Sequence, residues 1–349
     1  RKKTNYMGAD ATIYEQMDKN ITSKFVGYDK LENESVISTI ATEDEIVEAI
    51  TDGDMGRIVV DETVFYATMG GQAGDIGVIT NGDSEFEVKD TIKLLGGKIG
   101  HIGQVTKGMF SVGDNVTLKV NKHNREDTGK NHSATHLLQK ALKIVLGDHI
   151  EQAGSLVTAD RLRFDFTHFS ALSAEELRKV ENTVNEVIMS AVPVVTSEMP
   201  IDEAKKLGAM ALFGEKYGDI VRVVKADDFS VEFCGGTHVK NTGSIGLFKI
   251  VSESSVASGV RRIEAVTGNN IMKYIDKNNE LIAETAKNLK LTNYHELASR
   301  AAALSAELKE KEREISSLEA EIAASKTADL MKDAKQIGGV RLVPADIGE

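Results

Sequence analysis

The chain has 349 residues, 41% hydrophobic and 28% charged, with a formal net charge of −12; that is too long for one ordinary core and predicts two or three soluble domains. The acidity excludes indiscriminate nucleic-acid binding through a broad positive field, although not a local groove. No apolar run is long enough to cross a bilayer, no secretory signal opens the sequence, and the single cysteine, Cys234, excludes an internal disulfide and suits a reducing cytoplasm.

Residues 1–22 are polar and mildly helical around Ala11–Met17, and read as the tail of a preceding element. Between residues 23 and 120 the pattern is short strands punctuated by glycine: Arg57–Val60, Val64–Tyr66, Gly77–Ile79, Phe110–Val112 and Val116–Val120. The stretch from Gly53 to Gly113 holds 13 of the 30 glycines, a density that predicts repeated turns and hence a small β-barrel or sandwich. From residue 121 to 268 the texture is mixed α+β. A helix is predicted over Asn131–Leu146 with Gly147 as its stop, and a half-buried strand over Arg161–Phe166. Ser173 and Glu176 form a capping box opening a helix toward Met189. Strands at Ile220–Val224 and Ser230–Phe233 lead to the cysteine, and Gly259–Ala265 closes this part.

Residues 269–333 are helical. Leu297, Ala301, Leu304, Leu308, Ile315, Leu318 and Ile322 follow steps of four and three, a heptad seam weakened at Lys311, and Ile271, Ile275, Ile282 and Leu289 form a shorter seam. With Asn293 and Glu296 capping the second helix, this predicts an antiparallel coiled-coil hairpin. Gly338–Gly339 and Val340–Val343, within 334–349, read as the start of another globular unit, so the sequence is expected to be a piece of a longer protein.

Two short motifs carry the chemistry. His132-Ser133-Ala134-Thr135-His136 puts two imidazoles on one helix face, and Cys234-Gly235-Gly236-Thr237-His238 lets a thiolate and an imidazole converge across a glycine turn. Three imidazoles and one thiolate make a complete tetrahedral set for zinc. His101, His123, His149, His168 and His295 have no partner pattern. The first motif lacks the glutamate of an HExxH metalloprotease, and no GxxxxGK[ST] phosphate loop occurs. Thr68–Asp75 is glycine-rich; it reads either as a tight turn between strands or as a loop whose backbone approaches a ligand, with Gln72 and Asp75 as polar contacts. Lys119, Lys122, His123, Arg125, Lys130, Arg161, Arg163, Arg261 and Arg262 are basic side chains between residues 119 and 262, and their charge alone favours a solvated surface mixture.

His132–His136, Gln152–Ser155, Arg163–His168, Gly208–Asp219, Cys234–His238 and Gly259–Ala265 together resemble the editing domain of bacterial alanyl-tRNA synthetases. Phe25–Tyr28 and Phe65-Tyr66 with Gly70-Gly71-Gln72 look like the barrel preceding that domain, and the helical stretch looks like the start of that family's C-terminal oligomerisation domain, so the resemblance runs essentially end to end. It implies that residues 1–22 end a helical tRNA-recognition region, and that the domain activating alanine with ATP lies upstream. It further implies a zinc-dependent deacylase acting on the acceptor end of mischarged Ser-tRNA(Ala) and Gly-tRNA(Ala), with His132, His136, Cys234 and His238 as metal ligands and homodimerisation through the C-terminal region. By the resemblance Gln152 lines the editing pocket and Gln72 lies in its glycine-rich loop, which makes both catalytic candidates. Gly70, Gly71, Asp75, Arg163, Arg261 and Arg262 are candidates for binding substrate or tRNA. Met69 departs from the family pattern, which often has a third glycine there. The logic of proofreading fits: a pocket for alanine cannot exclude glycine by size or strongly reject an added hydroxyl, so a second site must destroy the errors. A free-standing editing protein, and a non-catalytic tRNA-binding and dimerisation module with structural zinc, are the alternatives.

Overall fold

The computed structural model of the protein describes residues 13, 17–18, 20–208, 218–332 and 334–343. Most of the helix expected at Ala11–Met17, and residues 209–217 of the resemblance, lie outside that set. Two compact units divide the chain, Arg1–Lys273 and Tyr274–Glu349.

The first unit opens with β1 (Lys24–Phe25), β2 (Glu32–Ala41), β3 (Ile46–Val47), β4 (Ala49–Thr51), β5 (Met55–Val60), β6 (Glu62–Thr63), β7 (Gly77–Asn81), β8 (Ser84–Lys93), β9 (Ile99–Lys107), β10 (Met109–Ser111) and β11 (Asn115–Val120). Strands β11, β7, β8, β9, β5 and β2 are neighbours in that order, and β11 pairs back onto β2, which closes a six-stranded antiparallel barrel. The alternation needed for a filled barrel is visible in β11, where Val116, Leu118 and Val120 point inward between more exposed Asn115, Thr117 and Lys119. In β5 both faces are covered: Ile58 and Val60 join the barrel core with Ile37, Ile79 and Phe86, whereas Val59 packs outside it against Met17, Ala41 and Leu94. Val64–Tyr66, expected as strand, is instead a buried loop after β6, because its backbone turns toward the next part of the unit.

Helix α1 (Lys122–Leu146) follows the barrel directly. It starts nine residues before the expected Asn131, because Asn121 accepts a hydrogen bond from Asn124 N–H and nucleates a polar first half that carries no apolar periodicity. It ends where expected, at Gly147, with φ +113° and its N–H donated to Lys143 O. The apolar face of α1 and of α2 (Ala174–Met189) covers a four-stranded antiparallel sheet of β12 (Gln152–Val157), β13 (Leu162–Thr167), β17 (Phe248–Ala257) and β18 (Val260–Thr267), ordered β12-β13-β18-β17. The capping box of α2 forms as expected, Ser173 N–H donating to Glu176 Oε2 at 2.7 Å and Glu176 N–H to Ser173 Oγ at 3.2 Å. Strands β14 (Val194–Pro200), β15 (Ile220–Ala226) and β16 (Ser230–Phe233) form a three-stranded sheet, with the short α3 (Ile201–Lys206) between its first two strands.

A buried ion pair joins barrel to helix. Arg125, on the first turn of α1, donates through Nε to Asp75 Oδ1 at 2.9 Å and through Nη2 to Asp75 Oδ2, and reaches Gly27 O at 2.6 Å and Val64 O at 2.7 Å. Asp75 also accepts Tyr66 N–H at 2.6 Å.

The second unit corrects one expectation. Helix α4 (Asn269–Asn288) and helix α5 (Leu297–Lys332) are present, separated by a 3-10 turn at Tyr294–Glu296 that Asn293 caps by accepting His295 N–H at 3.1 Å. The coiled-coil packing is not: every described side chain from Ser305 to Lys332 is exposed, including Leu308 at 62% and Ile315 at 56%. At 1.5 Å per residue the 36-residue α5 outruns the 20-residue α4 by roughly 24 Å, so its C-terminal turns extend beyond any length α4 could match. Strands β19 (Lys335–Ile337) and β20 (Val340–Leu342) form a hairpin across Gly338-Gly339, both at positive φ.

Replacing Asp75 by Ala removes the carboxylate that neutralises a guanidinium only 8% exposed, so it is expected to destabilise the first unit by about 3–5 kcal/mol in urea unfolding. A loss below about 1 kcal/mol would show that the pair does not stitch barrel to helix.

Candidate metal centre

One turn of α1 separates His132 from His136, and their rings stand 5.3 Å apart by centroid, 6% and 7% exposed. Strand β16 delivers the Cys234–His238 turn against that face, and the His238 ring lies 4.3 Å from His132 and 4.6 Å from His136. The approach depends on glycine: a Cβ at Gly236 would collide with the His132 ring. One donor atom from each of His132, His136, Cys234 and His238 falls within 4.8 Å of all the others. Cys234 Sγ lies 3.4 Å from His132 Nε2 and 3.3 Å from His238 Nε2. A tetrahedral zinc with bonds of about 2.0 Å to nitrogen and 2.3 Å to sulfur has N–S edges of about 3.5 Å, so the donor set fits that ion in both chemistry and spacing.

Each imidazole is held from behind by its other nitrogen, the arrangement that orients ligating histidines. His132 Nδ1–H donates to Gln72 Oε1 at 2.7 Å and His238 Nδ1–H to Ser133 Oγ at 3.0 Å, while His136 Nδ1 lies 3.5 Å from Glu232 Oε2. The turn itself is gripped through three successive carbonyls. Arg222 Nη1 donates to Cys234 O and Gly236 O, both at 2.8 Å, and Tyr28 Oη donates to Gly235 O at 2.7 Å beneath the Arg222 guanidinium, which stacks 4.1 Å over its ring.

Burial dominates the electrostatics. It lowers His136 to about 3 with Arg222 adding to the effect, and holds His132 and His238 well below the ordinary imidazole range, where neighbouring imidazoles reinforce it. The three are therefore neutral at pH 7, with lone pairs ready for a cation. Burial also pushes Glu232 up to about 8, against a hydrogen bond from Ser230 and the charge of Lys143.

A cavity of about 270 Å³ opens onto His132, His136 and Cys234, and Gln152, Thr135 and Ser155 contribute polar groups to its wall. Thr135 donates its hydroxyl proton to Asn131 O at 2.8 Å, which turns its lone pairs into acceptors for whatever enters. The barrel closes one side with Tyr66, Met69 and Gly70. A larger cleft of about 680 Å³ touches Thr237 and His238 but not Cys234.

The sequence candidates separate on this geometry. The four ligands converge, and Gln152 and Gly70 line the cavity. Gln72 does not line it: fully buried, it accepts from His132 and from Thr237 N–H at 2.9 Å and donates to Thr237 Oγ1 at 2.8 Å. Gly71 has φ +83° and lies so close to β12 that a Cβ would stand 2.8 Å from Ser155 O, so it serves close packing of the loop. Asp75 is spent on Arg125. The arginines of the sheet pair with carboxylates rather than standing as solvated surface charges: Arg262 forks onto Asp165 at 2.6 and 2.7 Å, Arg261 pairs with Glu253, and Arg163 lies 3.9 Å from Asp165. Sequence reasoning missed Ser133 and Thr135, although both stand inside the first motif, and missed Glu232 and Arg222, whose roles depend on strand register. It also passed over His149 and His168, which pair at 2.9 Å on the surface.

The family model for the second additional domain of threonyl and alanyl tRNA synthetases matches residues 221–264, and that for class II (A) tRNA synthetases matches residues 1–124. Alanine–tRNA ligase 1 of Lachnoclostridium phytofermentans is 55% identical over 347 residues, 99% of this chain and 39% of the relative. The alanine–tRNA ligase of Alkaliphilus oremlandii is 45% identical across 98% of the chain and 39% of the relative, and that of Acetivibrio thermocellus 46% identical across 95% and 38%. The chain thus spans about two fifths of the length of these curated relatives.

The histidines also set a pH dependence for the metal-free protein. His136, with a folded value of about 3 against 6.5 unfolded, binds fewer protons folded than unfolded in that window, as do His132, His238 and barrel-core His101, lowered to about 4. Their contribution is present above pH 6.5 and lost as pH falls toward 3–4, with a slope of about 1.4 kcal/mol per pH unit for each fully participating group. Urea midpoints of chelator-treated protein should therefore fall steadily from pH 6.5 to 5, and equal midpoints across that range would contradict neutral buried histidines.

Proposed function

Because this chain belongs to the alanine–tRNA ligase family, we propose that its metal centre hydrolyses the ester of mischarged Ser-tRNA(Ala) and Gly-tRNA(Ala), with zinc held by His132, His136, Cys234 and His238. The observation that carries this reading is the cavity whose floor is the donor cluster and whose wall offers Gln152, Thr135 and Ser155. Its volume, about 270 Å³, lies just below the range of drug-sized ligand sites, which suits the aminoacyl end of a large substrate held elsewhere. In this division of labour residues 23–120 form the barrel wall, residues 121–268 the deacylase core, and residues 269–333 a helical arm.

A zinc ion so held would supply a Lewis acid able to polarise the ester carbonyl and orient the acceptor end. The chain's own residues do the selecting. Gln152 and Thr135 present the polar contacts that a serine hydroxyl satisfies, and the methyl of alanine would leave those groups unpaired in a buried site. Met69 and Gly70 line the barrel side of the cavity and narrow it around the acyl group. The tRNA body contributes affinity through phosphate contacts that do not involve the metal.

No helix among the described residues is long and apolar enough to cross a membrane, and an aqueous tRNA substrate fits a cytoplasmic enzyme. Homodimerisation through the C-terminal region is supported by the exposed apolar row on α5.

The test is single-turnover deacylation by zinc-loaded protein. Ser-tRNA(Ala) is expected to lose its ester much faster than Ala-tRNA(Ala), and Cys234→Ala to abolish turnover while keeping tRNA affinity. Zinc-loaded protein that binds tRNA and leaves the seryl ester intact would favour a structural metal in a tRNA-binding module instead.

A further inference from the structure

The barrel contributes a side chain to the metal centre without lining the cavity. Gln72 closes the Met69–Gln72 turn, in which Met69 and Gln72 exchange backbone hydrogen bonds of 3.2 and 3.0 Å. Gly71 O accepts Val157 N–H at 2.7 Å and Ala73 N–H donates to Val157 O at 2.9 Å, so the turn is laced to the end of β12 on both sides of Gln72. The side chain is fully buried, and both ends of its amide are used. Oε1 accepts from His132 Nδ1–H at 2.7 Å and from Thr237 N–H at 2.9 Å; Nε2 donates to Thr237 Oγ1 at 2.8 Å.

This bonding pattern has one chemical consequence. An acceptor fixed against Nδ1 puts the proton of a neutral imidazole there and leaves the Nε2 lone pair toward Cys234 Sγ and the other donors. The same oxygen anchors Thr237, the residue between the glycine turn and His238, so one amide sets the approach of both halves of the ligand set. We propose that Gln72 is a positioning residue of the metal centre: it selects the metal-binding tautomer of His132 and clamps the Cys234–His238 turn onto α1, which makes the barrel an integral part of the zinc site. The proposal rests on the metal-binding part of the reading above. It replaces the role of substrate contact that the glycine-rich loop suggested, since a group with no free polar atom and no exposure to the cavity has nothing to offer a serine hydroxyl.

The experiment measures zinc affinity of the whole chain by competition with a chromophoric chelator at neutral pH, alongside the absorption spectrum of the cobalt(II)-substituted protein. Gln72→Glu keeps an acceptor at the position facing both N–H groups and is expected to bind zinc close to wild type. Gln72→Met fills the space without an acceptor, and Gln72→Asn keeps the amide but is one methylene too short. Both are expected to bind zinc 10- to 100-fold more weakly, the usual range for loss of a group that orients a ligand, with an altered cobalt spectrum. Their preference for seryl over alanyl esters at saturating zinc should be unchanged. Gln72→Asn, the milder change in volume, keeps the test open if Gln72→Met does not fold. Wild-type zinc affinity and cobalt spectrum in both variants, with a fall in serine preference, would overturn the proposal in favour of substrate contact. A wild-type chain that does not retain zinc would overturn the metal-centre reading itself.

Discussion

Four donor side chains from two segments a hundred residues apart can share one point in space only if the Cys234–His238 turn presses its backbone against α1, and the constraint that permits this is the absence of a side chain at Gly236. A Cβ there would occupy the His132 ring, and displacing that ring would break both its contact with Cys234 and its hydrogen bond to Gln72. Much of the surrounding architecture holds that contact closed. Arg222 and Tyr28 grip the three carbonyls of residues 234–236, Ser133 accepts Val239 N–H at 3.1 Å, and Gln72 accepts Thr237 N–H. With the carbonyls of residues 234–236 and the N–H groups of Cys234, Gly236 and Thr237 all bonded, the turn is held in place, which lowers the ordering entropy that would oppose binding of a cation.

That organisation draws on both parts of the first unit. The barrel gives Tyr28, Gln72 and Asp75; the α+β part gives the Gly235 carbonyl, Thr237 and Arg125 to meet them. The three pairings span separations of 50 to 207 residues, and none involves neighbouring turns of one element. Such contacts enter folding late, once loop closure has been offset by core burial. The barrel is therefore better understood as one wall of the site than as a spacer ahead of it.

This also explains what could be read in the sequence and what could not. The donor cluster was legible because metal chemistry restricts candidate ligands to a few residue types at short spacing, and HSATH and CGGTH stand out on that ground. The barrel was legible as a class from its glycine-punctuated strands, and the capping box of α2 from Ser173 and Glu176 alone. The role of Gln72 was not, because its position in a glycine-rich loop fits a ligand-binding turn and a packing turn equally well; only the register of that loop on β12 shows which way the amide points. The start of α1 was hidden because Lys122–Lys130 is polar throughout and its helicity is imposed by the Asn121 cap and the Asp75 ion pair. The heptad row of α5 misled for the opposite reason. Its period was correct, but a period specifies a face and not its partner, and the row stays exposed along α5 from Leu308 to Ile322.

The basic residues complete the picture. The arginines that pack against the site or its sheet are used internally: Arg125 on Asp75, Arg222 on the carbonyls of the Cys234–His238 turn, Arg261 on Glu253 and Arg262 on Asp165. A planar fork suits these fixed carboxylates and carbonyls, and its charge is tolerated when all its donors are matched. The exposed lysines keep their ammonium groups in water, as Lys24, Lys119 and Lys240 do with side chains 66–85% exposed. An acidic protein thus holds its directional cations for architecture and leaves its lysines on the surface, where Lys24, Lys119 and Lys240 pair with exposed carboxylates. On the proposed reading, recognition falls instead on the cavity beside the donor cluster, where Gln152, Thr135 and Ser155 would distinguish one small acyl group from another.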